Sequence, residues 1–398
     1  MTFTKGQQKC CPVPFCGCFW HDIVIRTLSM KILYAGLRYE LYDPGRGWSF
    51  EYLNFFSTLR SLPGVEVIEH PFDRILEVGR QKFNEELFAL IRRENPDLFF
   101  AFMYTDELDR EILLKIKNET KTKTLAWFSD DYWRFWNYSR HWAPYFSWIV
   151  TTDAKAVERY RDAGSKNVVH SQWACNKDIF KPLDLQKDIN VSFVGQYKGP
   201  RAAVLRQLAR EGINVEAFGF GWPARTTGVV QPARMNRSDG SGGPNGKISE
   251  EKMVEIISRS KINLNLNVRP GFFAPRALAR LFLKKSMNRL VPDIHLIDNI
   301  RAYLHFPTLH IHARPFELAG CRAFVISGHS GGIEDYYEKD KETVFYSSLE
   351  DLAKKIKFYL AHPEERERIA EAAYRRTLAE HTYECRFRRL FREINLPL

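Results

Sequence analysis

From Lys31 onward, short apolar runs alternate with segments of helical spacing, and the pattern occurs twice along the chain. The runs at 31–36, 65–69, 97–103, 124–127 and 148–152 read as strands, separated by helical patterns at 50–62, 82–94, 107–117 and 154–163. A second series places strands at 188–195, 214–218, 262–266 and 323–327, with helices at 201–211, 250–260, from Arg314, at 349–362 and finally at 363–391. Strands that read as continuous apolar runs are buried on both faces, and strands separated by helices need crossover connections, so each series specifies a parallel sheet covered by helices. At 398 residues the chain is too long for one ordinary core. The reading is α/β, with two doubly wound, Rossmann-like units at 31–185 and 186–398, a linker near 182–188, and a disordered leader at 1–30. In such sheets ligands bind beyond the carboxyl ends of the strands, which makes the cleft between the units the default site.

The balance of 44% hydrophobic and 27% charged residues is that of a globular chain. A net charge of +11 creates a field that gathers anions. No nucleic-acid module accompanies it, so a nucleic-acid partner is not expected. Four of the seven cysteines crowd the N-terminus (Cys10, Cys11, Cys16, Cys18), which is neither a disulfide framework nor a common zinc spacing, and no metal is expected. No apolar run approaches the eighteen or so residues of a membrane span, and residues 1–30 lack the apolar core of a signal peptide. A cytoplasmic protein, peripheral at the inner face of the membrane, is the expectation.

The segment 314–337 carries the most chemistry. Pro315 suits a first helical position, so Glu317 falls in the first turn, where the helix dipole favours its charge. A planar carboxylate there accepts two hydrogen bonds from a vicinal diol such as a ribose, or merely serves the dipole. Gly331 and Gly332, in the turn after the next apolar strand, complete this donor-binding set. Near the start of the second unit, Gly195 ends a strand and the chain turns through Lys198 into a helix at Arg201. Glycine lets a diphosphate approach the backbone, and the two cations neutralise charge on a leaving nucleotide. Arg314 either serves the same phosphates or pairs with Glu317, three residues on.

In the first unit, Gly45 and Gly47 bracket Arg46 ahead of a helix capped by Ser49, forming a candidate acceptor or phosphate loop. Asp130 and Asp131 follow the fourth strand, where a general base belongs, beside Tyr132, Trp133 and Trp136, which suit stacking on sugar rings; a helix cap with apolar packing is the rival reading. Between 268 and 308 lies a basic insert. From Arg269 to Arg289 it has six cations and no acid, and Arg276, Arg280 and Lys284 at four-residue spacing predict one face of an amphipathic helix, suited to an anionic membrane surface or an anionic acceptor, or equally a plain solvated helix docked on the domain. The glycine- and serine-rich stretch 226–247 predicts a loop.

AspIleAsnValSerPheValGlyGlnTyrLysGlyProArg (188–201), AsnLeuAsnLeuAsn (263–267), ArgProPheGluLeuAlaGlyCys (314–321) and HisThrTyr (381–383) occur in that order. Together they resemble the C-terminal half of the CgeB-like glycosyltransferases, well over 188–390 and loosely over 31–185. The resemblance implies the GT-B fold, two Rossmann-like domains facing a central cleft with a C-terminal helix crossing back. It also implies metal-independent transfer of a sugar from a nucleotide-sugar donor to a glycan, lipid-linked or protein acceptor, with no cofactor. Two positions depart from the pattern of retaining relatives. Leu309 stands where the first of two glutamates contacts the donor sugar, with His310 and His312 close by as substitutes, and Gln196 stands where many relatives have an arginine. A non-catalytic protein of the same fold, structural or nucleotide-sugar-binding, is the alternative.

Overall fold

The structure is a computed structural model that describes residues 30–222, 229–230, 248–269, 273 and 275–396. The leader with its cysteine cluster and most of the 226–247 stretch lie outside the described residues. Six strands come first: β1 (Met30–Ala35), β2 (Val65–Glu69), β3 (Leu98–Phe102), β4 (Lys123–Phe128), β5 (Trp148–Thr151) and β6 (Val168–His170). They form one parallel sheet in the order β2-β1-β3-β4-β5-β6. Then follow β7 (Ile189–Val194), β8 (Val215–Phe218), β9 (Val229–Val230), β10 (Ser260–Asn265), the hairpin β11 (Leu283–Ser286) and β12 (Arg289–Pro292), β13 (Val325–Gly328) and β14 (Val344–Tyr346). Apart from the hairpin these build a second parallel sheet, β14-β13-β10-β7-β8-β9. Both sheets reverse strand order at their first strand, which opens a crevice at its carboxyl end.

Local chemistry sets the helix starts. Asp109, Asp153, Ser249 and Ser348 each accept a backbone N–H in the first turn of the helix they precede. Ser49 does the same for Tyr52 N at 3.0 Å, as the sequence predicts. The AsnLeuAsnLeuAsn strand alternates faces: Leu264 and Leu266 enter the apolar core while Asn263 accepts from Ser192 on β7 at 3.2 Å and Asn265 donates to Ser327 on β13 at 2.9 Å. The motif therefore knits three central strands together.

Two expectations are corrected. The helix expected over 363–391 is two, Pro363–Glu380 and Tyr383–Glu393, because Thr382 leaves the helix and caps the second one through Cys385 N at 3.2 Å. The basic insert is not one amphipathic helix. Helix geometry covers only Pro275–Ala279, and a two-residue turn at Met287–Asn288 closes the β11–β12 hairpin. Lys284 and Lys285, adjacent on a strand, point to opposite faces. Lys284 is exposed, while Lys285 reaches the ring and hydroxyl of Tyr104 in the first unit. The side chain of Arg276 lies outside the described residues. A helix Leu296–His305, unforeseen, completes the insert.

The break at 381–382 sends the last helix back across the first sheet, where Tyr383, Phe387, Leu390, Phe391 and Ile394 join the core with Phe55, Phe100 and Trp127. At the crossing Cys175 N donates to His381 O at 2.8 Å and Tyr383 N to Cys175 O at 3.0 Å. The His381 ring is buried, donates through Nε2 to Tyr336 O at 2.8 Å, and accepts at Nδ1 from Arg386 at 3.3 Å. Burial, then the Arg386 charge, pushes its pKa down to about 4. The unfolded ring binds a proton near pH 6.5 and the folded one does not, so this contribution to stability is complete above about 6.5 and is lost as pH falls toward 4. Wild type is expected to lose about 2 kcal/mol more than His381→Gln over that window. Urea midpoints at pH 7 and pH 4.5 check it, and equal losses in both proteins count against it.

Candidate functional site

The carboxyl ends of the two sheets face each other across a cleft of two adjoining lobes, about 560 and 670 Å3. Phe50, Val194, Gly195, Gln196, Arg314 and Glu317 line both lobes. The sequence-predicted donor residues are thereby largely brought together. Gly195 directly follows β7, and its carbonyl accepts from Trp222 Nε1 at 2.8 Å. Gly219 (φ +124°) lies against it, where a Cβ would meet Gly195 O at 2.6 Å, so only glycine allows β7 and β8 to end this close together. Lys198 and Arg201 follow on the cleft wall at the start of the Gly199–Arg210 helix.

Arg201 lies over the Phe193 ring at 5.3 Å and donates from Nη1 to Gln196 O at 3.1 Å, while its buried Nε has no partner. Burial and the nearby Arg314 charge lower its pKa, and burial together with Arg201 lowers that of Lys198. These cations repel one another, and Arg201, the more buried of the two, has given up part of its water to sit in the cleft.

Glu317 is buried in the first turn of the Arg314–Gly320 helix, its Oε2 2.8 Å from Arg314 Nη1. Burial raises its pKa and the Arg314 charge opposes the rise. The expected pairing of Arg314 with Glu317 is present, and both side chains still line the cleft. Lys198, Arg201 and Arg314 thus face a single buried carboxylate. An anion of about two charges balances that set.

Gly331 and Gly332 do not line the cleft. They turn the chain after β13 with φ of +37° and +93°, and a Cβ on Gly331 would meet Leu309 O at 3.0 Å. Their place is behind the cleft wall, supporting the 308–312 segment that does line it. His310 and His312 lie on a segment without regular secondary structure, not on a strand. His310 stacks on Tyr132 at 3.8 Å, and the two histidine rings lie 4.2 Å apart. Leu309 also faces the cleft.

The adjacent aspartates separate. Asp130 lines the cleft beside Tyr132 and Trp133, with no cap hydrogen bond to the helix it precedes. Asp131 turns inward at 1% exposure and accepts from Ser139 and from Tyr160, the latter at 2.8 Å. Burial pushes its pKa up to about 6 against the pull of those hydrogen bonds. As a candidate base facing the cleft, Asp131 is corrected to an internal anchor. In the loop 38–49, Arg46 reaches the second lobe with Glu40 and Leu41, whereas Gly45 and Gly47 are exposed and only shape the turn.

Further cleft residues went unforeseen in the sequence. Trp173 and Phe50, in edge contact at 5.2 Å, wall the cleft from the first unit. Thr308 lines it from the insert. Arg280 was seen only as part of a charged face; it enters the cleft with its guanidinium 4.4 Å from the Trp133 ring and 4.5 Å from Phe306. Cations at four-residue spacing carry no sign of which one turns inward.

Residues 294–392 match a family model described as "Glycosyl transferase-like". Spore protein CgeB of Bacillus subtilis (strain 168) is 21% identical over 238 residues, 59% of this chain and 64% of that protein, so the matched region spans just under two thirds of the curated relative. A glycosyltransferase from Rickettsia africae ESF-5 superposes with a TM-score of 0.55 at 11% identity, covering 92% of this chain and 97% of that one. Sucrose-phosphate synthase from Thermosynechococcus elongatus gives 0.54 at 13%, covering 92% and 99%. Anabaena HepE in complex with UDP and glucose gives 0.52 at 11%, again covering 92% and 99%. Likeness at such low identity speaks for the fold alone. The chain has the GT-B fold and is similar to CgeB, and its residues 294–392 match the glycosyl transferase-like model.

Proposed function

We propose that the protein transfers a sugar from a nucleotide-sugar donor to a hydroxyl acceptor on a glycan, a lipid-linked saccharide or a protein. The observation that carries this reading is the set of Lys198, Arg201 and Arg314 converging with Glu317 at the carboxyl ends of the second sheet. A nucleoside diphosphate supplies the missing negative charge, and Glu317 accepts from the ribose hydroxyls. In the reaction the acceptor oxygen bonds to the anomeric carbon, the bond from that carbon to the diphosphate breaks, and its electron pair leaves on the phosphate oxygen, where the three cations stabilise it. Asp130, which lines the cleft, takes the acceptor proton in this reading. Thr308, His310 and His312 surround Leu309 and supply polar contacts for the sugar where no carboxylate stands. The solved complex of HepE with UDP and glucose makes uridine diphosphate sugars the first donors to try.

Thermal unfolding with UDP-, GDP-, dTDP- and CMP-sugars tests the donor site, since a ligand that binds only the folded state raises the melting temperature. Glu317→Ala is expected to weaken the stabilising donor by about 1–3 kcal/mol. If Glu317 served only Arg314, its removal would free that cation and phosphate binding would hold or improve, so an unchanged or tighter donor sinks the ribose assignment. Leu309 favours one rival reading, a protein of this fold that binds the donor without transferring it. Donor binding with no sugar released to water or to any acceptor would establish that rival.

A further inference from the structure

The helix Leu296–His305 is inside out. Two of its polar residues face the protein: Asp298 accepts from Arg140 at 2.7 Å and lies 3.2 Å from His141, and Asn299 accepts from Asn137 at 2.9 Å and donates to Leu281 O at 3.2 Å. Its large aliphatic residues face outward, with Ile297 70% and Leu304 59% exposed, flanked by Leu296 and Ile300, while the small Ala302 is buried. Exposed apolar residues continue through Ile294, 89% exposed, to Phe282 just before the hairpin. Apolar side chains gathered this way on an exposed face mark a contact site.

Charge indicates the partner. The two acids of the 269–313 stretch, Asp293 and Asp298, have side chains only 4% and 14% exposed, while Lys284, Arg289 and Arg301 are exposed around the apolar residues. An apolar face rimmed by cations and cleared of outward acids matches the interfacial zone of an anionic bilayer. A second copy of the chain fits less well, because a two-fold contact sets the same cations against each other.

We propose that the surface formed by the 283–292 hairpin and the Leu296–His305 helix docks on membranes containing anionic phospholipid. No helix among the described residues is long and apolar enough to cross a membrane, so the contact is interfacial. The inner side of the same insert supplies Arg280 and Phe306 to the cleft, so docking sets the cleft against the lipid surface. Resting on the transferase reading above, this assigns a lipid-linked acceptor.

Flotation of the full chain with vesicles of phosphatidylcholine alone, or mixed with phosphatidylglycerol, tests docking without any nucleotide. Binding to the mixed vesicles is expected, weakened at least about tenfold by Ile297→Glu with Ile300→Glu and again by Lys284→Ala with Arg289→Ala, with melting temperatures near wild type. No binding to mixed vesicles, or binding that both double variants retain, overturns the proposal, as does light scattering that shows a dimer held by this face in a chain that ignores vesicles. The vesicle assay uses no donor, so failure of the transferase reading leaves its result standing, while vesicle binding without activation of transfer to lipid-linked acceptors removes only the acceptor assignment.

Discussion

Replacing Phe387 with alanine is expected to lower the unfolding free energy by about 3–5 kcal/mol, the range for truncating a buried aromatic residue. The ring is fully buried, in contact with Phe55 at 5.5 Å and Phe100 at 6.1 Å, on a helix supplied by the far end of the chain. Its loss opens a cavity in the first unit and loosens the helix that ties that unit to the second. Urea unfolding checks this prediction. A loss below about 1 kcal/mol would mean that the returning helix lies on the first sheet without contributing to its core.

The second large effect belongs to the cleft. Arg201→Glu is expected to weaken a nucleoside diphosphate or its sugar by about 2.7–4 kcal/mol, a hundredfold or more, while the fold persists. The substitution removes a desolvated cation and sets an acid beside Lys198 and Glu317. It also removes repulsion between Arg201 and Arg314, so the isolated protein is not expected to unfold more readily. Calorimetric titration with UDP, compared with a surface variant such as Arg375→Glu, checks it. Equal affinity in the two variants would move the phosphates away from the start of the Gly199–Arg210 helix.

Much of this was legible in the sequence, for identifiable reasons. The central strands were readable because a strand covered on both faces must be apolar throughout, as Leu98–Phe102 is. Edge strands β6 and β14, of three residues each, carried too short a run to be seen. The cations of the donor set were readable because Gly195, Lys198 and Arg201 lie within one strand-to-helix connection. Asp130 and Asp131 could not be told apart. What separates them is contact with Ser139 and Tyr160, which the fold brings in from 8 and 29 residues away. The insert misled for a related reason. Charges every fourth residue mimic a helix face, but a two-residue turn decides for a hairpin, and one of those cations, Arg280, is drawn into the cleft by Trp133 and Phe306.

The chain passes between the two sheets twice, once after β6 and once at His381–Tyr383, and the two passages are hydrogen-bonded to each other through Cys175. Two passages fastened to each other make one double-stranded link, so that cutting the chain at either passage leaves the two sheets joined through the other.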